Sequence, residues 1–283
     1  MKLYLLLLYL FAFTGTLLAQ TELSDEPGQK HFSPKHSLEL GFGFGHLVNQ
    51  DLVFSPFIHR DLAFPSAMIG YEAQGRLIHK ISLRYASFST VLNESYEYFE
   101  DGEEETTTPH SFTNINLGYN AGLPLHLTEK HRMIGGLSLS WDIHSLNYSY
   151  GRIGSVGYYS GTGIGVFGKY EWFLSESTKV SANIQIPLVS WIARSPYLVN
   201  DDEFIENISS HKGIPTFIDF LGDGRLVTLN RLQRLSTAIE GSHILSNHWA
   251  VGGEWSFGFI HTSRPRNLVS YQNTLVGKVI YVF

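Results

Sequence analysis

The strictest pattern in this sequence is the alternation that runs through its last stretch, Val269 to Phe283. The odd-numbered side chains there are largely apolar and end in Tyr281 and Phe283. The even-numbered ones include Gln272 and Lys278. Because successive side chains of a β-strand point to opposite faces of the sheet, this period of two predicts a strand between two different environments. An ordinary buried strand and the closing strand of a barrel both fit, so the rest of the chain has to decide between them.

Composition favours a protein whose outer surface meets lipid. The 283 residues are compatible with one all-β domain. Aromatic residues make up 14% and charged residues only 16%, and there are 27 glycines. A net charge of -6 without a basic run argues against a nucleic-acid partner. The absence of cysteine excludes a disulfide framework, thiol chemistry and a lipoprotein anchor.

The first residues follow the order of a secretory signal peptide. Lys2 supplies positive charge, residues 3–18 are almost wholly apolar, and Ala19 is small. We predict a signal peptide over 1–19, cleaved near Ala19, and a flexible leader over 20–34. A membrane anchor is the alternative, but no basic stop-transfer cluster follows it. No later apolar run reaches the ~20 residues that a membrane helix needs.

Residues 35–283 repeat the two-faced pattern, which predicts about ten strands. Alternation is poor around Gln233 and Arg234, where we expect a β-bulge. Short connections, such as one at His79-Lys80, alternate with long ones, of which 93–109 and 194–224 are the longest. This parity is typical of an up-and-down barrel with turns at one end and loops at the other. The predicted strands are 35–48, 66–78, 81–92, 110–123, 132–147, 158–173, 178–192, 225–244, 248–261 and 269–283.

The predicted fold is all-β: a closed antiparallel up-and-down transmembrane barrel, which leaves no backbone amide unpaired in hydrocarbon. A row of glycines on the first strand leaves room for bulky neighbours inside the curved sheet. Buried charges need partners, so we expect a polar interior network and no wide channel. Its predicted members are Glu39, Glu72, Arg76, Arg84, Asp142, His144, Lys169, Glu171, Glu240, Glu254 and Lys278. The predicted interfacial girdle residues are Trp141, Tyr170, Trp172, Trp255, Tyr271 and Tyr281.

These features together resemble small outer-membrane β-barrel proteins of Gram-negative bacteria. The signal peptide, the two-faced strands, the loop parity and the ending Val279 to Phe283 carry the resemblance, which identifies no subfamily. It implies the cell outer membrane as location and outer-membrane lipid as surroundings. It also implies the barrel-assembly machinery as a partner, with Tyr281 and Phe283 as the assembly signal. Ten strands also resemble omptin-type surface proteases, but no stretch matches an omptin site residue by residue.

Asp142 and His144 are the candidates for catalysis. They lie two positions apart on one predicted inward face, and a carboxylate beside an imidazole can activate it for acid–base chemistry. A satisfied pair of interior residues is the alternative. The acidic segments 103–105 and 201–203 lack EF-hand spacing, and the histidines lack a zinc motif. We therefore expect no metal and no cofactor.

The leading functional hypothesis is a non-enzymatic barrel whose external loops bind a surface protein or ligand, or serve as a scaffold. Loops 93–109 and 194–224 are the candidates, because long loops on a rigid scaffold are where function usually lies. Two alternatives remain open. One is an outer-membrane hydrolase acting on peptide or lipid, with an Asp/His site at the outer rim. The other is a narrow, porin-like pore.

Overall fold

The computed structural model describes residues 36–53, 55, 57–90, 97–100, 102–106, 110–150, 153–194 and 220–283. The predicted signal peptide 1–19 and leader 20–34 lie outside the described residues, as do 93–96, 101 and 107–109 and most of 194–224. No helix among the described residues is long and apolar enough to cross a membrane.

The described residues form thirteen strands. They are β1 (His36–Asp51), β2 (His59–Gln74), β3 (Ile78–Thr90), β4 (Glu97–Glu100), β5 (Glu103–Thr106), β6 (Ser111–Leu127), β7 (His131–Tyr150), β8 (Ile153–Phe173), β9 (Thr178–Arg194), β10 (Arg225–Thr228), β11 (Leu232–Ile244), β12 (Trp249–Thr262) and β13 (Leu268–Val282).

Ten of these strands close into one antiparallel barrel. Each pairs with the next, in the order β1, β2, β3, β6, β7, β8, β9, β11, β12 and β13. The barrel closes because β13 pairs with β1 from Val282 opposite Ser37 to Leu268 opposite Asp51. β4 and β5 form a separate hairpin, and β10 pairs with β9 beyond the end of β11. The predicted closed ten-stranded barrel is confirmed, and β13 is its closing strand.

Short and long connections segregate to opposite ends of the barrel. The turn end holds the connections 75–77, 128–130, 174–177 and 245–248, together with the start of β1 and the end of β13. The loop end holds the others. The shortest connection between barrel strands there is 151–152, because β7 and β8 extend as a hairpin where the sequence predicts a loop.

The turn between β2 and β3 corrects the prediction. It lies at residues 75–77, closed by the Gly75 amide donating to the Leu77 carbonyl oxygen at 3.1 Å, and not at His79-Lys80. Arg76 is consequently exposed in the turn, whereas Lys80 lies in β3. β2 also begins earlier than expected, because the strand passes Pro65 by a shift in register.

The irregularity predicted near Arg234 exists but lies elsewhere. The break occurs at residues 229–231, between β10 and β11. Gln233 and Arg234 pair regularly with His261 and Ile260 of β12. Alternation looks poor there because a charged side chain, Arg234, occupies a buried inward position.

The glycines of β1 have the packing role that the sequence suggests. A Cβ atom on Gly41 would lie 2.6 Å from Cγ of Met68, and one on Gly45 would lie 3.0 Å from Cε1 of Phe88. Both distances are too short for an unchanged structure. The bare backbone therefore makes room for large inward side chains from β2 and β3.

Candidate functional site: the barrel interior and its loop-end rim

An apolar band surrounds the barrel. Every barrel strand exposes at least one large apolar side chain on its outward face, for example Phe42, Phe64, Leu83, Leu123, Leu137, Ile164, Leu188, Ile239, Val251 and Leu275. Such a surface is unfavourable in water, but it matches the hydrocarbon of a bilayer. The chain therefore folds as a closed transmembrane β-barrel.

Aromatic side chains on the outward face lie at two levels of this band. Trp172 and Tyr281 are near the turn end, and Trp141 and Tyr271 are nearer the loop end, with Trp255 between the levels. Tyr271 and Tyr281 are ten positions apart on β13, which agrees with the ~9–11 residues of a membrane-spanning strand. All six predicted girdle residues are on the outward face: Trp141, Tyr170, Trp172, Trp255, Tyr271 and Tyr281.

The turn-end half of the interior is filled by charged side chains. The Lys278 side chain is fully buried, and its Nζ lies 3.3 Å from Glu39, 2.9 Å from Glu240 and 3.2 Å from Glu254. Lys80 Nζ lies 3.0 Å from Glu39 and 3.8 Å from Glu240. A buried charge is tolerated only when it is paired. These carboxylates therefore allow two lysines to lie inside the barrel.

A second centre of the same network lies on β8. Glu171 is 0% exposed, and its Oε1 lies 2.9 Å from Lys169 and 3.2 Å from Lys179. Lys169 is also 3.3 Å from Glu72, which is 3.9 Å from Lys80. The two centres therefore form one continuous set of ion pairs across the barrel.

Two arginines complete this set, which we call the charged network. Arg132 pairs with Glu171, and Arg84 pairs with Glu254. The network has six cations and five carboxylates: Glu39, Glu72, Lys80, Arg84, Arg132, Lys169, Glu171, Lys179, Glu240, Glu254 and Lys278.

The structure brings eight of the predicted interior residues into the network and adds three that the prediction lacked: Lys80, Arg132 and Lys179. All three occupy inward positions close to a turn. Extending the alternation of each strand back to its first residues would have found them. Arg76 does not belong to the network, since the position of the turn places it outside.

Asp142 and His144 lie nearer the loop end than the network. Asp142 is 1% exposed, forms an ion pair with Arg234 and accepts a hydrogen bond from the Asn116 amide. The ring of His144 lies 5.1 Å from the ring of Tyr159. The carboxylate is thus directed at a guanidinium and not at the imidazole that an acid–base pair requires. Among the described residues no group of three or more acidic or histidine side chains is placed to hold a metal ion.

A polar cavity of about 140 Å³ lies on the loop-end side of the charged network. Amide and hydroxyl groups from both sides of the barrel line it, including those of Asn116, Asn120, Asn183, Gln185, Ser256 and Gln272. Such groups hydrogen-bond to water or to a neutral polar molecule.

Two apolar clusters narrow the interior between this cavity and the loop end. The first apolar cluster comprises Leu47, Val53, Ala63, Ala86, Phe88, Phe112 and Leu146. The second apolar cluster comprises Tyr159, Ile192, Val227, Leu232, Ile260 and Leu268. Residues of both, together with the polar side chains of Asn49, Asp51, Asn114, His144 and Ser270, line a narrow slot of about 30 Å³.

The loop-end rim carries several arginines from neighbouring strands. Arg194, at the end of β9, forms an ion pair with Asp51 of β1. The same guanidinium donates to the carbonyl oxygen of Arg264 at 3.1 Å and to that of Arg266. This one side chain therefore ties the end of β9 to β1 and to the β12–β13 loop.

Two further arginines adjoin this position. Arg225 begins β10 opposite Ile192, and Arg231 immediately precedes Leu232, which pairs with Thr262 at the end of β12. Arg225 lies at the rim, beyond the apolar band. Its pKa is lowered, first by partial burial and then by the positive charges of neighbouring arginines. We call Arg194, Arg225, Arg231, Arg264 and Arg266 the rim arginines.

The predicted assembly-signal residues lie at the seam. The Phe283 amide donates to the His36 carbonyl oxygen at 3.1 Å, and the two rings stack 5.7 Å apart. Tyr281 faces outward between β1 and β12, opposite Leu38 and Trp249. Their role in assembly stays a prediction.

No protein-family model and no curated protein matches this chain. The structure is similar to Neisserial surface protein A, with 11% identity and a TM-score of 0.37 over 88% of this chain and 97% of that one. It is similar to the outer membrane protease OmpT of Escherichia coli, with 10% identity and a TM-score of 0.49 over 93% and 99%. It is also similar to the Pseudomonas putida toluene transporter TodX, with 10% identity and a TM-score of 0.31 over 89% and 91%.

Proposed function

We propose that this chain is a non-enzymatic outer-membrane protein with a closed interior, which binds a surface partner or serves as a scaffold through its loop end. The charged network carries the proposal, because its members come from nine of the ten barrel strands. We place the turn end in the periplasm and the loop end outside the cell, because bacterial outer-membrane barrels have short periplasmic turns and longer external loops.

Two different barriers in series favour a binding role over a pore. An ion entering from the loop end first meets the narrow slot between the two apolar clusters, where it would have to shed most of its hydration water to pass. It then meets lysines and carboxylates that are already paired with one another. Opening a path would leave buried charges without partners, which is strongly unfavourable.

Planar-bilayer recording of the purified full-length protein tests the closed interior. We expect no stable unitary conductance for the natural sequence. The double variant Glu129→Ala/Lys130→Ala, which changes exposed turn residues, should behave identically. Stable conductance steps from the natural sequence would overturn the proposal and favour the narrow pore.

The rim arginines indicate the chemistry of the partner. Arg225, Arg231, Arg264 and Arg266 are all exposed, and the carboxylate of Asp51 is already engaged by Arg194. Like charges held close together on fixed backbone repel one another and attract a partner of opposite sign. We therefore propose an acidic partner at this side of the loop end, next to loop 194–224. Loop 93–109 is the second place where a surface protein or ligand would bind.

Binding of fluorescent poly-glutamate to the barrel in neutral lipid vesicles tests this proposal. Arg225→Gln/Arg264→Gln should weaken binding on the order of tenfold, as expected for two partly screened charge pairs, and the difference should shrink at high salt. The matched control Arg76→Gln/Lys130→Gln removes the same charge at the turn end. Equal binding by both variants would contradict a site at the rim arginines.

A further inference from the structure

Five histidines face outward at the turn end, each beside a hydroxyl-bearing side chain of the same strand pair. The pairs are His36 with Tyr71, His79 with Tyr119, His131 with Tyr170, His243 with Thr178 and His248 with Tyr281. They occur in all five strand pairs that are joined at the loop end. We call these five histidines the histidine ring.

The first three pairs share one geometry. Nδ1 of the histidine lies 2.7–2.8 Å from the tyrosine hydroxyl, and the two rings are nearly parallel, at 19–27°. The tyrosine is always two positions before the residue opposite the histidine, as Tyr71 is before Ala73, the partner of His36. Three repeats of one diagonal pairing hold three imidazoles in the same orientation relative to the sheet.

This hydrogen bond leaves the other ring nitrogen available. When the tyrosine hydroxyl donates to Nδ1, the imidazole proton is on Nε2, which becomes a free N–H donor. When the ring is protonated, Nδ1–H donates to the hydroxyl oxygen and Nε2–H carries a charge-assisted donor. In both states the free donor belongs to a side chain held by stacking, so little conformational entropy is lost when it binds an acceptor.

The ring lies at the edge of the apolar band. His131 stacks on Trp172 as well as on Tyr170, and Tyr281 contacts both His248 and Trp249. Tryptophan and tyrosine mark the level at which hydrocarbon gives way to lipid head groups. The acceptors that a bilayer offers at this level are phosphate oxygens.

We propose that the histidine ring binds the phosphates of anionic phospholipids in the leaflet at the turn end, more strongly in acid. Phosphate stabilises the protonated imidazole, so the extra affinity is present at low pH and is lost as the histidines deprotonate. The inference requires only that lipid surrounds the barrel, and it is independent of what the loop end binds.

The test must separate the effect of the histidines from that of other charged groups near the histidine ring. Lys80 and Glu72 lie close in sequence to His79 and Tyr71 but face the interior. Among the described residues, those packed against His36, His243 and His248 include Tyr71, Phe283, Thr178, Val251, Tyr281 and Val282. The charged side chains of the adjoining turns are Arg76, Glu129, Lys130 and Glu176.

Fluorescence quenching by brominated lipids in mixed bilayers measures the selectivity. Brominated phosphatidylglycerol should quench Trp172 and Trp249 severalfold more than brominated phosphatidylcholine at mildly acidic pH, and the preference should fall towards one at alkaline pH. The triple variant His36→Gln/His79→Gln/His131→Gln should lose this pH dependence. A matched variant at the loop end, His46→Gln/His261→Gln, should keep it.

A second variant guards against loss of folding. Tyr71→Phe/Tyr119→Phe/Tyr170→Phe keeps the stacking rings and removes only the hydroxyl partners, so we expect a partial loss of selectivity with unchanged circular dichroism. Inorganic phosphate at constant ionic strength distinguishes the sources of the ligand: competition beyond that of chloride would show a site that prefers free phosphate. Such competition, or equal selectivity of the natural sequence and the histidine variant, would overturn the proposal.

Discussion

The two halves of the barrel interior are closed by different physical means. The turn-end half is closed by ion pairs such as Lys278 with Glu240 at 2.9 Å, whereas the loop-end half is closed by buried apolar side chains such as Phe88 at 0% exposure. An ion pair forms only between particular side chains, so the charged network favours one arrangement of the strands around the barrel. Apolar contact is non-directional and fills space without choosing partners. We therefore expect the turn-end half to be destabilised most by the loss of an ion-pair partner. The loop-end half should be destabilised mainly by the loss of buried side-chain volume.

The largest effect should follow loss of a shared carboxylate. Glu171→Ala removes a buried carboxylate that pairs with Lys179 and Arg132, and it weakens the pairing of Lys169. Leaving a buried charge without its partner should lower the free energy of unfolding by about 3–5 kcal/mol. Urea unfolding from vesicles, followed by tryptophan fluorescence, measures this. Glu176→Ala in the exposed turn is the control and should change little; comparable losses in both variants would contradict a special sensitivity of the charged network.

A cavity in the first apolar cluster should have a smaller and different effect. Phe88→Ala should lower the free energy of unfolding by about 3 kcal/mol through lost burial and an unfilled volume. It should not produce conductance, because the charged network still crosses the barrel below it. Phe88→Leu, which keeps most of the volume, should recover much of the loss. Conductance in Phe88→Ala would show that the charged network does not close the barrel interior by itself.

The smallest of the three effects tests where the two halves meet. Gly41→Val places a side chain against Met68 and Lys278, each of which has an atom within 3.2 Å of the position a Cβ would take. Overpacking should lower the free energy of unfolding by about 1–3 kcal/mol. The second variant Gly41→Val/Met68→Ala should restore part of it. No recovery would locate the strain at Lys278, on the charged side of the boundary.

The two residues considered for catalysis also show how the partner of a buried charge is determined. The sequence predicts that Asp142 and His144 share an inward face, and they do. It does not contain the information that Arg234, on β11, neutralises Asp142 across the barrel. Residue types and parity are local properties, whereas the partner of a buried charge depends on which distant strand lies opposite.

Arg76 and Lys80 show how an error in placing one turn changes which charged residues are predicted to lie in the interior. Moving one turn from 79–80 to 75–77 takes an arginine out of the interior and puts a lysine in. Alternation alone does not show where the turn lies, since both residues are charged and both have even numbers. The decisive difference is that the backbone turns at Gly75, a position chosen by the register of β2 against β3.

Local sequence patterns were enough to predict the number of barrel strands, the loop parity, the inward and outward faces and the chemical character of each face. These follow from a period of two, which every strand displays without reference to any other. Which charges meet depends on the folded barrel, as when Lys278 contacts Glu39, a residue 239 positions away in the chain. Barrel closure, with its particular register between β13 and β1, makes them neighbours, and no local pattern encodes that distance.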